Sequence, residues 1–316
     1  MFSFFKKNKD RVEIPNWAYF FDEKEYNEFT KALHHYFSSK NIEYVIENGV
    51  LTTNDKSFGY ENLGLTNVAQ VCKQNESKHY REIVNDHFES MIRTLQFEKE
   101  FNEIVHDFEQ VEFYIGVRIY PDEHISHVGE HNVLSKKLAG HLFATLVFDL
   151  PDTIMNIKPE QVEKWNKSPE ELFILGVSNI KEKYRVEISE QIYDDLKIWF
   201  IDSPHFFTTN IVFDFENHSE LIGSHGSLIG LPHRHAAIIY PIENLEVVQA
   251  INMLIPAIFG MNEEGPGSVS NNLFWYHEGV LKNLPYELSD ESIQFTPTKE
   301  FTDMLNSLAE PTLDQP

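Results

Sequence analysis

The sequence predicts an α+β fold: mixed, mostly antiparallel sheets packed by helices, with a helix–hairpin–helix unit at the N-terminal end. Three observations carry this expectation. Apolar residues recur at spacings of three and four in some segments and alternate with period two in others, so one chain encodes both helices and half-buried strands. The strand-like segments come in pairs joined by short connections, which suits antiparallel neighbours, because parallel pairing needs a long crossover. The 316 residues, 41% of them hydrophobic, are enough for a packed core.

Taken in order, Tyr26, Phe29, Leu33 and Phe37 lay an apolar stripe along a helix at 22–39. Residues 42–53 read as a hairpin, with Tyr44 and Ile46 alternating with polar neighbours and Asn48-Gly49 as the two-residue turn. Leu65, Val68, Ala69 and Cys72 predict a short helix at 63–74, and Tyr80, Val84, Phe88, Met91 and Leu95 a longer one at 78–97. A strand is expected at 111–120, with Phe113, Ile115, Val117 and Ile119 on one face and Pro121 stopping it. A second follows at 142–150, continued past Pro151 by 154–157. Helices are expected at 158–165 and from Ser168-Pro-Glu-Glu171, which places an N-cap serine, a first-turn proline and a glutamate at the third position. Strands at 186–192, 196–201, 228–231, 236–242 and 273–276 alternate with helices at 205–219 and 245–259. The expected organisation is a unit at 1–105, an α+β domain at 106–285, and a loosely docked, acidic, proline-containing tail at 286–316 with a short helix at 299–308.

Charge and cysteine content exclude several classes. Fifty acidic against 26 basic residues give a formal net charge of -24. Over most of the surface that field repels nucleic-acid phosphate and anionic lipid. The single Cys72 excludes an internal disulfide and any cysteine-rich zinc site, as in a reducing compartment. The leader with Phe2, Phe4, Phe5, Lys6, Lys7 and Lys9 reverses the order of a signal peptide and is expected to fray. The most apolar stretch, 247–259, is too short to span a bilayer. A cytoplasmic protein without stable membrane association is expected, its oligomeric state left open.

No cofactor is expected, because the usual cradles are missing. No glycine-rich loop runs into Lys-Ser or Lys-Thr. Gly265-Pro-Gly267 lacks the third glycine and the preceding strand of a dinucleotide turn, and the loop containing Ser224 and His225 lacks the spacing of a nucleophile elbow. Fifteen histidines raise the question of a metal. One cluster is Glu123, His124, His127, Glu130 and His131, in what reads as a loop. The other is His233 and His235, two apart on a strand and therefore on one side, with His225 or His277 as a third ligand. The competing reading of both is imidazoles that are solvated or satisfied by backbone carbonyls. Two arginines are candidate ligand-binding residues. Arg118 lies in a strong strand opposite its apolar face. Arg234 is one of only four basic residues after Arg185, with Lys197, Lys282 and Lys299. Each is expected either to pair with a carboxylate or to anchor a ligand carboxylate or phosphate through its planar fork.

Val117-Arg-Ile-Tyr-Pro121, Leu146-Val-Phe-Asp-Leu-Pro151, Trp165, the helix from Ser168-Pro-Glu-Glu-Leu172 to near Asn179, Leu231-Pro-His-Arg234 and the closing strand with Tyr276 and Gly279 follow one another in a recognisable order. Over about 110–285 the chain resembles the YtpQ-like family of bacterial proteins, a domain of unknown function. The resemblance implies a bacterial cytosolic protein of mixed α/β structure and supplies no catalytic residues. From 186 onward, 20 acidic residues face 4 basic ones, a net of -16. The leading expectation is a non-enzymatic interaction protein, immunity- or chaperone-like, whose acidic C-terminal surface meets a basic protein partner. The alternatives are a metal-assisted hydrolase using His225, His233 and His235, and a small-anion binding protein using Arg118 and Arg234.

Overall fold

The structure, a computed structural model, describes residues 14–289 and 292–309; the N-terminal leader lies outside the described residues. The fold is α+β, in two compact units, Met1–Glu98 and Lys99–Pro316. The first unit opens on α1 (Glu23–Ser39), where Asp22 and Glu25 close a capping box through two 2.8 Å hydrogen bonds. The hairpin β1 (Tyr44–Glu47) and β2 (Val50–Thr53) turns at Asn48-Gly49, both with positive φ, 48° and 78°. A third strand, β3 (Asn62–Gly64), pairs with β2; three residues ending in glycine are too few for alternation to reveal. Then come α2 (Thr66–Lys73) and α3 (Tyr80–Ile104). Phe29, Phe37, Phe58 and Phe88 are fully buried, with the rings of Phe37 and Phe88 meeting edge to face at 4.8 Å. Burial among them pushes the Cys72 thiol up to about 12, so it is inert.

After the end of α3, the second unit continues with the short α4 (Phe108–Val111) and a 3-10 turn at Glu112–Tyr114. β4 (Ile115–Pro121) therefore starts later than alternation implied, and Phe113, expected on its apolar face, is 75% exposed. Asn179 fixes that turn by donating to the Glu112 and Ile115 carbonyls. α5 (Asp122–Val128) stands where a loop was expected. β5 (Ser135–Ala139), β6 (Leu142–Asp149) and β7 (Ile154–Asn156) follow, and β7 folds back onto β6 rather than continuing it. After α6 (Pro159–Trp165) and α7 (Pro169–Lys183) come β8 (Glu187–Tyr193) and β9 (Leu196–Asp202). β10 (Ser227–His233), β11 (Ala236–Pro241), α8 (Val247–Glu264), β12 (Leu273–His277) and β13 (Val280–Leu284) complete the larger sheet.

The helix expected at 205–219 is instead a series of 3-10 turns, at Thr208–Phe213, Phe215–Asn217 and Ser219–Leu221. Thr208, Thr209 and Asn210 are all buried, and Asn210 donates its amide to the Val117 carbonyl at 2.7 Å. Such side chains compete with helical backbone bonding, and the segment must bury more than one face. The loosely docked tail is also corrected. β14 (Tyr286–Leu288) pairs with β15 (Ile293–Phe295), and α9 (Lys299–Ala309) inserts Phe301, fully buried, and Met304 into a core cluster.

Besides the β14–β15 pair, this unit has two larger sheets, both antiparallel throughout. The smaller has the order β4-β6-β5, with β7 also on β6; the larger has the order β13-β12-β10-β11-β9-β8. Ile119, Ala139 and Leu142 of the small sheet meet Ile201, Ile229, Ile239 and Phe274 of the large one. α7 covers the other face of the small sheet, where Gly116 and Gly176 let the backbones approach, and α8 and α9 cover the other face of the large one. Among the described residues no helix is long and apolar enough to cross a membrane.

Candidate functional site

β4 builds the site because alternation gives it two chemically different faces. Ile119 enters the space between the sheets, so Gly116, Arg118 and Tyr120 project the other way. Arg118 is only 9% exposed, and its Nε has no hydrogen-bond partner. Its cross-strand neighbour on β6 is Thr145, fully buried, with a hydroxyl that also lacks a partner. Directly opposed residues share a face, so both orphaned groups belong to one surface. The Arg118 guanidinium carbon lies 4.5 Å from the centre of the Tyr120 ring. His124, on the first turn of α5, stacks on Tyr120 at 3.9 Å and 7°, and its buried Nε2 is unpartnered as well. Burial first, and then the Arg118 charge, hold the His124 pKa below the ordinary imidazole value, so the ring is neutral at physiological pH.

Arg234 arrives from the turn between β10 and β11. Its own amide donates to the Gly267 carbonyl at 3.0 Å, and its carbonyl accepts from the Thr208 amide at 3.3 Å. The loop after α8 is shaped around the residues of this turn. A Cβ at Gly265 would collide with the His233 ring, and one at Gly267, where φ is +71°, would come within 2.7 Å of the Arg234 side chain. The pair of glycines that fails as a dinucleotide turn thus admits an imidazole and a guanidinium.

Phe206 joins the two arginines. Its ring centre is 4.3 Å from the Arg234 guanidinium carbon and 5.7 Å from that of Arg118, so the two carbons are at most about 10 Å apart. At an effective dielectric of ~20, two unit charges at that separation repel by roughly 1.7 kcal/mol, and by more if closer. Among the described residues neither guanidinium is ion-paired with a carboxylate. Arg234 is pushed down to about 10 by burial first and by Arg118 second, and remains a cation at neutral pH. Its side-chain hydrogen bond runs from Nε to His235 Nε2 at 3.0 Å. His235 accepts there only with its proton on Nδ1, which faces the Ser203 carbonyl at 3.1 Å. Burial, with Arg234 next in weight, lowers His233 and His235 to about 4, so both are neutral.

The histidine reading is corrected by the length of β10. His225 precedes this seven-residue strand and His233 ends it, and the strand alone spans about 20 Å at ordinary strand rise. His277 sits at the His225 end, stacked on Trp275 at 4.5 Å. His233 and His235 are neighbours, with rings 6.3 Å apart, but both nitrogens of His235 are engaged, and His233 Nδ1 accepts from the His235 amide at 3.3 Å. Among the described residues no group of three metal-ligating side chains converges, in this cluster or in the one at 123–131. Ser224 bonds Glu243 at 2.6 Å rather than an imidazole. Sequence reasoning reached Arg118 and Arg234 but missed Tyr120, Thr145, Phe206 and the Gly265–Gly267 loop. Period-two placement beside Arg118 was the one signal available for Tyr120. No family model, no curated protein and no solved structure matches this chain.

Proposed function

We propose that the protein binds a small anion between Arg118 and Arg234. The observation that carries this reading is a buried guanidinium, Arg118, and a half-buried one, Arg234, at most about 10 Å apart and, among the described residues, without a carboxylate partner. Buried cations are ordinarily paired, because desolvation penalises an isolated charge by several kcal/mol. In a chain of net charge -24, carboxylates are the commonest ionisable groups, so leaving both arginines without one favours a counter-charge supplied by a ligand. Both arginines also fall within the short motifs that carry the resemblance to the YtpQ-like family, whose membership remains part of the proposal. A basic protein partner on the acidic surface rests on composition alone, and no arrangement of side chains favours it over the arginine site.

The test is calorimetry and thermal shift on the full chain with sodium sulfate, acetate, malonate and phosphate at constant ionic strength, alongside Arg118→Met and Arg234→Met. Saturation at 100 times Kd adds about 2.7 kcal/mol to stability. Stabilisation that is weaker in both variants is the expected result. Stabilisation of equal size in the double variant is a generic salt effect and refutes the reading, as does no response to any of these anions.

A further inference from the structure

We infer that the ligand of this site is a dianion, an oxyanion or dicarboxylate bearing two negative charges rather than one. This rests on the anion-binding reading above and adds the charge and donor pattern of the ligand. The groups gathered at this site are Arg118 and Thr145 on the small sheet, Tyr120 and the stacked His124, Phe206, and Arg234 with its neighbour His235. His124 and His235 are neutral at physiological pH, and among the described residues no carboxylate forms an ion pair with either arginine, so the formal charge of this group is +2. A monoanion leaves one of the two guanidiniums uncompensated. A dianion balances both and turns their mutual repulsion into attraction across itself.

The donors agree with this charge. Arg118 Nε is an orphaned donor, the Thr145 hydroxyl is a second unpartnered group able to donate, and the Arg234 fork retains the terminal nitrogens that His235 does not occupy. All three call for acceptor oxygens. Two planar forks no more than about 10 Å apart can grip opposite sides of one tetrahedral oxyanion, or take one carboxylate each of a short dicarboxylate. The shared chemistry is two negative charges on acceptor oxygens a few ångströms apart. Phe206, which lies against both guanidiniums, limits the length of what fits between them.

The experiment compares shape-matched probes by calorimetry on the full chain at pH 7.5 and constant ionic strength: sulfate against methanesulfonate, and malonate against acetate. The expected result is at least about tenfold tighter binding of the dianion in one or both pairs. The pair that shows it separates a tetrahedral ligand from a dicarboxylate. In Arg118→Met and Arg234→Met, each leaving a site of charge +1, the preference is expected to fall below about threefold; circular dichroism verifies that each variant is folded. Equal affinity for monoanion and dianion overturns the dianion inference and leaves the anion-binding reading standing. Failure of all four probes to bind overturns both.

Discussion

Replacing Arg118 with methionine is expected to stabilise the unliganded protein, although the residue is buried in a central part of the fold. Methionine keeps the length of the aliphatic stem and its contacts while removing the charge. The repulsion between the two guanidiniums, roughly 1.7 kcal/mol at the 10 Å limit, disappears. So does the desolvation of the unpartnered Arg118 Nε, worth about 1–3 kcal/mol for a buried polar group. Against these stands the contact with the Tyr120 ring at 4.5 Å, worth about 1–2 kcal/mol. The balance is about 1–4 kcal/mol of added stability, or a rise of roughly 2–16 °C in the melting transition of a unit this size. Urea denaturation reads the same quantity as a higher midpoint with an unchanged slope. Loss of the Arg118 repulsion also raises the pKa of Arg234. A variant destabilised by more than about 1 kcal/mol would refute the reasoning, because it would mean that Arg118 is already compensated without a ligand.

His233, lowered to about 4 from an ordinary 6.5, is buried neutral. Between those values the unfolded chain takes up a proton that the native state refuses. Its contribution is therefore fully present above about pH 6.5, is lost as the pH falls towards 4, and does not change further below that. The loss is roughly 3 kcal/mol, and urea midpoints at pH 7, 5.5 and 4.5 should fall less steeply in His233→Asn; parallel slopes would contradict this. Phe301→Ala should cost about 3–5 kcal/mol by emptying a fully buried site, whereas a change under about 0.5 kcal/mol would mean that α9 is not docked. Gly176→Ala should destabilise by about 1–3 kcal/mol even though alanine is the better helix former by about 1 kcal/mol. The added methyl would lie 2.9 Å from the Gly116 backbone, so a more stable variant would show that α7 and β4 can separate without penalty.

Local chemistry made much of the fold legible. The Ser168 and Glu171 capping box, the Asn48-Gly49 turn and the three-and-four spacing of Tyr26, Phe29, Leu33 and Phe37 each depend on residues within one turn or one hairpin of each other. Their structural outcome follows from propensity and period almost regardless of the rest of the chain. Where local signals failed, a distant contact had intervened. Phe113 alternates in phase with Ile115, Val117 and Ile119, yet a turn held by Asn179 from α7 carries it out to solvent. The 205–219 segment reads as a helix until Asn210 is drawn to the Val117 carbonyl and 3-10 turns replace it.

The candidate site divides along the same line. Sequence alone determined that Arg118 would stand opposite the apolar face of its strand, because side-chain alternation is a property of one strand. It also marked Arg234 as a rare cation in an acidic half of the chain, because composition needs no coordinates. Only the tertiary structure decided that the two arginines share Phe206, that among the described residues no carboxylate pairs with either, and that His225 and His233 lie at opposite ends of β10. The reason is physical. A charge becomes costly, and therefore informative, only after long-range packing removes its water and fixes which partners it lacks.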